Sequence, residues 1–199
     1  MAKIKKIIGR QVFDSRGNPT VEAELISDIG STLAIVPSGA STGTHEAHEL
    51  RDKENKDYLG KSVFKAIENV NGPIFKSLKN IDTAEQSKID KILKDLDGTD
   101  QKKKLGANAI LAVSIAAIKN AALERKISLF KHIGGNSVSQ LPIPMMNIIN
   151  GGAHANNSLE IQEFMIRPDG ANSFKECMRI SYLVIQKLKK NLEKMNIST

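Results

Sequence analysis

Residues 3–36 read KIKKIIGRQVFDSRGNPTVEAELISDIGSTLAIV. Within this stretch Val21, Ala23 and Leu25 alternate with Glu22, Glu24 and Ile26, the period of two expected of a sheet with one covered face. Turn-forming residues at 16–19 and 28–30 interrupt it. Three strands are therefore predicted, over 3–13, 21–27 and 32–36, as an antiparallel meander. From Lys61 the period becomes helical: Phe64, Ile67, Ile74 and Leu78 share a face, with a break near Gly72-Pro73. Asp82 followed by Glu85 resembles a capping box for a helix carrying Ile89, Ile92, Leu93 and Leu96 and closed at Gly98. Residues 108–123 are alanine-rich and apolar on most sides, which predicts a buried helix. The sequence up to residue 133 thus reads as an α+β domain, three strands followed by helices.

Farther along, GGNSVSQ at 134–140 has linker composition, and Pro142 and Pro144 open an extended segment running to Asn150. A second strand is expected over 160–167, and an amphipathic helix over 173–194 with Met178, Tyr182, Ile185, Leu188 and Leu192 as its apolar stripe. The predicted organisation is a domain at 1–133, a linker at 134–141, and a strand-strand-helix segment at 142–199.

Composition narrows the function classes. With 40% hydrophobic residues in 199, the chain can bury one or two ordinary cores. The single cysteine, Cys177, allows no internal disulfide, so nothing points to an oxidising compartment. The basic N-terminus is interrupted at Gly9, Arg10 and Gln11 and lacks the apolar core of a signal peptide. No run reaches the ~18 apolar residues of a membrane span, and a cytoplasmic protein without a membrane partner is expected. The net charge of +7 raises the question of a nucleic-acid partner. The excess is spread along the chain, with local clusters only at Lys102–Lys104 and at Lys187, Lys189 and Lys190. There is no tryptophan and only two tyrosines are available for stacking. Solvated basic faces are the reading adopted, and nucleic acid is not expected as a partner.

The chemistry-bearing residues lie in two loops. VPSGASTGTHEA at 36–47 is rich in glycine and hydroxyls but lacks the Gly-Lys-Ser/Thr ending of a phosphate-binding Walker loop; composition alone fits a flexible connection. His45, Glu46, His48 and Glu49 form H-E-x-H-E, not the zinc-binding H-E-x-x-H, and a helix start after the loop is expected. IINGGAHANNSLEIQEFM at 148–165 sets His154 in a Gly/Asn loop ahead of Gln162 and Glu163. By itself His154 reads as a loop histidine bonding to backbone; for Glu163 a salt-bridged core carboxylate is the lesser alternative to a used one, since a carboxylate in an apolar run is costly to bury unless it is paired or functional. Neighbours on a regular strand face opposite ways, so Gln162 and Glu163 share a pocket only at a bulge or a strand end.

Together with DSRGNPT at 14–20 and KKKLGANAILAVS at 102–114, these motifs resemble the enolase family, and the resemblance runs from Lys3 to about Leu192. It implies an α+β N-terminal domain joined to the start of an enolase-type α/β barrel, and a reversible dehydration of 2-phosphoglycerate to phosphoenolpyruvate. It further implies two Mg2+ ions, with Ser41 supplying oxygen to the second, and a mobile loop at 38–43 with Ala40 among the substrate-binding positions. The resemblance makes His154 a catalytic and substrate-binding loop residue reaching the substrate phosphate, Gln162 a substrate-binding residue, and Glu163 a substrate-binding and catalytic carboxylate that helps deliver a proton to the leaving hydroxyl. A dimer or larger homo-oligomer is implied for the complete enzyme. A full barrel takes ~250 residues, and the family's remaining acidic metal ligands, second glutamate and lysine base belong to its later part. On that reading this 199-residue chain alone is expected to be inactive, and the alternative is a non-catalytic interaction module for a protein or polyanion.

Overall fold

A computed structural model of the chain describes residues 2–39 and 43–197. It divides into two compact units, Met1–Val138 and Ser139–Thr199.

The first unit opens with the meander: β1 (Ile4–Phe13), β2 (Pro19–Ser27) and β3 (Gly30–Val36), antiparallel in the order β1-β2-β3. Alternation places Val21, Ala23 and Leu25 inward with no exposed surface, beside Ile4, Ile7 and Ala34. On the opposite face Arg10 of β1 reaches across to Glu22 and Glu24 of β2. These charged contacts hold Arg10 above its ordinary value and Glu24 below its own, chiefly through the hydrogen bond that joins them.

Helices cover the inner face. α1 (Phe64–Asn69) passes without a break through a wide π-turn, Val70–Ile74, into α2 (Phe75–Leu78). The predicted interruption at Gly72-Pro73 is absent because the π-turn absorbs Pro73, and it keeps both Val70 and Ile74 fully buried. Gly9 packs against this turn, where an added Cβ would lie 3.0 Å from that of Val70. α3 (Gln86–Asp97) starts later than predicted. Asp82 does not cap it; its side chain accepts from the N–H of Ala84 at 3.0 Å, and residues 82–83 pair with the N-terminal segment. Gly98 ends α3 as expected, in the left-handed conformation at φ 69°.

α4 (Ala107–Glu124) lies against β2 and β3, with Ala109, Ala112, Val113, Ala116 and Ala117 in the core. Contrary to the sequence reading, this helix is long and apolar enough to cross a membrane, but half of it is buried inside the unit. A short α5 (Leu129–Gly134) follows, unmarked by any periodic signal in so few residues.

In the second unit β4 (Met146–Asn150) pairs antiparallel with β5 (Glu163–Ile166), and α6 (Phe174–Lys194) follows. β5 is shorter than the predicted 160–167, because Leu159 and Gln162 direct their carbonyls to Gly152 and Gly151 and belong to the loop. Ser173 caps α6 by accepting from the N–H of Glu176 at 3.2 Å, and Glu176 returns the bond to the N–H of Asn172 at 2.9 Å. The apolar stripe departs from the predicted one at its N-terminal end, while Ile185, Leu188 and Leu192 are half-buried. Cys177 and Ser181 are buried whereas Met178 and Tyr182 are exposed, since the small side chains make the close contact, Cys177 Sγ donating to the Pro168 carbonyl at 3.8 Å.

Candidate active site

The segment from Pro37 to Val63 contains no helix or strand among its described residues. Its local chemistry explains why the helix expected after H-E-x-H-E does not form before Phe64. Left-handed Leu59 and Gly60 and a turn at Asn55 keep the backbone from winding up, and the segment's polar groups are engaged elsewhere. Asp52, buried and ten residues ahead, accepts from the Ser62 hydroxyl at 2.8 Å and from the N–H groups of Phe64 and Lys65 at 2.6 and 3.2 Å. It caps α1 from outside the helix.

Asn108 in the first turn of α4 donates to the Leu50 carbonyl at 3.0 Å and accepts from its N–H at 3.2 Å. Gly106, at φ 92°, leaves room for this clasp. Arg51 donates to the Pro19 carbonyl at 3.1 Å and pairs with Glu49 at 2.8 Å, and Lys61 donates to Asn18 at 2.9 Å. The DSRGNPT turn is thereby tied to the base of the loop. Asp14 organises that turn by accepting from the N–H groups of Asn18 and Arg16, both at 2.9 Å. The bond from Asn18 is the main reason its carboxyl sits below the usual aspartate range.

Above this base lies a cavity of about 290 Å3, bordered by Val36, Ser38, Gly39, Glu46, Asn108 and Leu111. Glu46 accepts from the N–H of Gly43 at 2.9 Å. Ala40 and Ser41 lie outside the described residues. Sequence reasoning missed Asp52 and Asn108, because their partners lie 10 and 58 residues away along the chain. The local signal was the Gly106-x-Asn108 pair at the start of an apolar helix.

In the second unit the three remaining site residues converge. The loop from Gly151 to Gln162 closes on itself through Gly151 N–H to the Gln162 carbonyl at 3.0 Å and Gly152 N–H to that of Leu159 at 2.8 Å. This turns His154 back onto the start of β5. Its Nδ1 lies 2.7 Å from Glu163 Oε1, and its Nε2 lies 2.9 Å from Gln162 Nε2. With the amide donating to Nε2, the imidazole carries its proton on Nδ1 and donates it to Glu163. The opposite-face rule is evaded because Gln162 stands just ahead of β5, so both side chains reach one ring. His154 and Glu163 are partly exposed, with side-chain accessibilities of 21% and 32%. Glu163 is therefore paired but not a core carboxylate, and His154 bonds to side chains and not, through its ring, to backbone.

Among the described residues no three His, Cys, Asp or Glu side chains gather as a metal site. What is assembled here is a carboxylate, an imidazole and an amide, a set able to orient a polar ligand and to move a proton.

Residues 4–133 match the model for the enolase N-terminal domain, and residues 138–199 that for the enolase C-terminal TIM barrel domain. The chain belongs to the enolase family. An enolase of Pelagibacter ubique (strain HTCC1062) is 58% identical over all 199 residues, which make up 48% of that protein. This enolase-family chain thus spans about half the length of the curated relative it matches. The α+β meander-and-helix domain and the beginning of an enolase barrel domain are its two parts.

Proposed function

We propose that this chain is the substrate-handling first half of a glycolytic enolase, a lyase interconverting 2-phosphoglycerate and phosphoenolpyruvate in the cytoplasm as a dimer or larger homo-oligomer. The observation that carries the proposal is the single imidazole of His154 joined to both Gln162 and Glu163, in a chain of this family. Residues 1–133 act as the N-terminal domain, 134–141 as the linker and 142–199 as the opening of the barrel.

The reaction removes a weakly acidic proton beside a carboxylate and expels hydroxide from the next carbon. Glu163 is assigned to helping deliver to the departing hydroxyl a proton that it must first take up, since it stands here as an acceptor. His154, held by Glu163, is assigned to the phosphate end of the substrate. Gln162 fixes the ring's orientation and, once a ligand displaces it, supplies an amide for hydrogen bonding. Ala40 and the glycines that flank it are assigned to the strap that closes over the ligand and excludes water. Magnesium, when bound, would neutralise the charge that builds up on the substrate carboxylate. Ser41 is the one residue of this chain assigned to it, as a hard oxygen donor. The described residues by themselves do not make a closed magnesium site, and none of the roles given to His154, Gln162 and Glu163 needs the metal.

The test is a chimera in which residues 1–199 replace the matching half of the Pelagibacter ubique enolase. The chimera is expected to form phosphoenolpyruvate from 2-phosphoglycerate with magnesium, whereas the purified 199-residue chain is not. Within the chimera Glu163→Gln should lower kcat by about 10²-fold or more, the usual weight of a proton-transferring group. A folded chimera indifferent to that substitution would remove Glu163 from the chemistry.

A further inference from the structure

The geometry points to Asn157 as a positioning residue that holds the loop backbone where the ring of His154 can meet Gln162 and Glu163. This inference rests on the reading of His154, Gln162 and Glu163 as site residues, but it concerns the scaffold that brings them together. Asn157 lies in the loop seven residues after Asn150 and two before Leu159, and its side chain reaches both. Nδ2 donates to the carbonyl of Asn150, the last residue of β4, at 3.0 Å. Oδ1 accepts from the N–H of Leu159, on the return limb, at 3.0 Å. Its own N–H donates to the Ala155 carbonyl at 3.0 Å.

These bonds act on the same short span that carries the imidazole. Leu159 is the residue whose carbonyl receives Gly152 N–H, and the Gly151 carbonyl receives His154 N–H at 3.0 Å. The side chain of Asn157 therefore couples the outgoing limb at Asn150, the turn at Gly151–His154 and the return limb at Leu159. The limbs approach so closely that a Cβ on Gly151 would lie 2.5 Å from the Ile161 carbonyl oxygen. With so little slack, a shift at Leu159 is passed on to Gly152 and so to the ring. An amide is the residue type that the position calls for, since it donates to a carbonyl on one side while accepting from an N–H on the other. Aspartate keeps only the acceptor, and alanine keeps neither.

These bonds of Asn157 all run to backbone groups, so the test must read the ring and not merely stability. With ¹⁵N-labelled chain at pH 8, where an ordinary imidazole is neutral, long-range ¹H–¹⁵N correlation reports which ring nitrogen carries the proton, and His154→Gln assigns the signals. The wild-type chain is expected to hold His154 in the Nδ1–H form. Asn157→Ala should release it into a mixture of tautomers, with Asn157→Asp intermediate. Amide exchange at Gly152 should rise about fivefold, the equivalent of one neutral hydrogen bond, while that of Cys177 in α6 stays unchanged. An unaltered ring and unaltered exchange in Asn157→Ala would overturn the assignment of Asn157 and leave the site reading standing. Equal acceleration at Gly152 and Cys177 would also overturn it, by making the residue a general stabiliser of the unit. A wild-type chain without the Nδ1–H form would overturn the His154–Gln162–Glu163 arrangement itself.

Discussion

Asp97 illustrates how a single side chain can be read from chemistry only after its partners are known. Burial pushes its carboxyl upward, but bonds from the N–H of Leu105 at 2.7 Å, from the Thr99 hydroxyl and N–H, and from the N–H of Lys104 at 3.1 Å outweigh that effect. The net result is a value below the ordinary 3.8. The folded form thus binds a proton less readily than the unfolded chain. The stabilisation is complete above the ordinary aspartate value and is lost as pH falls through the lower folded one. Asp97→Asn should cost about 1–3 kcal/mol at pH 7 and flatten the acid limb of a plot of urea midpoint against pH; an unchanged limb would remove Asp97 from the acid response. In the sequence Asp97 is merely the last residue of a helix. His154, Gln162 and Glu163, by contrast, stood out as candidates because each is unusual where it stands, in a glycine loop or an apolar run. What the residues did not disclose was that one ring engages both partners, since that follows from where β5 begins.

At the level of elements, the strands and long helices follow their hydrophobic periods. The departures occur where one local rule competes with another. Pro73 predicts a break, yet the need to bury both Val70 and Ile74 is met by widening the turn. Asp82 has the spacing of a cap but is drawn into pairing with the N-terminal strand. The start of α4 shows the same competition resolved by glycine. Gly106 stands at φ 92°, and an added Cβ would lie 2.5 Å from Asn108 Oδ1 and 2.6 Å from Leu50 Cβ. Gly106→Ala should therefore combine backbone strain with overpacking and lower the stability of the first unit by about 3 kcal/mol. Denaturant unfolding measures this, and a loss under about 0.5 kcal/mol would mean that the clasp between Asn108 and Leu50 is easily remade.

For the molecule as a whole, the two units differ in how much they bury. The first holds a continuous apolar core from Ile4 to Ala117, built from the sheet and four helices. In the second, the buried side chains among the described residues are those of Cys177 and Ser181, and Phe164 and Met165 of β5 remain exposed at 55% and 43%. A two-stranded ladder with so little covering is marginal by itself. Amides of β4 and β5 are expected to exchange at least about tenfold faster than those of β1 and β2, as mass-spectrometric or NMR exchange would measure; equal protection would show that the second unit is stabilised by more than its visible packing. Linker composition and paired prolines were the sequence signals for a boundary between the strand-and-helix domain and the barrel opening. The meagre core of the second unit carried no such signal, since a stripe of apolar residues reads alike whether or not anything lies against it.

The ladder between β4 and β5 carries one further implication. Asn147 faces Met165 and Ile149 faces Phe164, so Ile148 has no counterpart and the pairing changes phase there. The residues before and after it are counted from opposite parity. Loss of the codon for Ile148 would remove the unpaired residue and leave Asn150 opposite Glu163 in one unbroken phase, whereas gain of a codon there would leave two residues without counterparts. The odd residue is slack that lets this short strand shorten without separating Asn150 from Glu163.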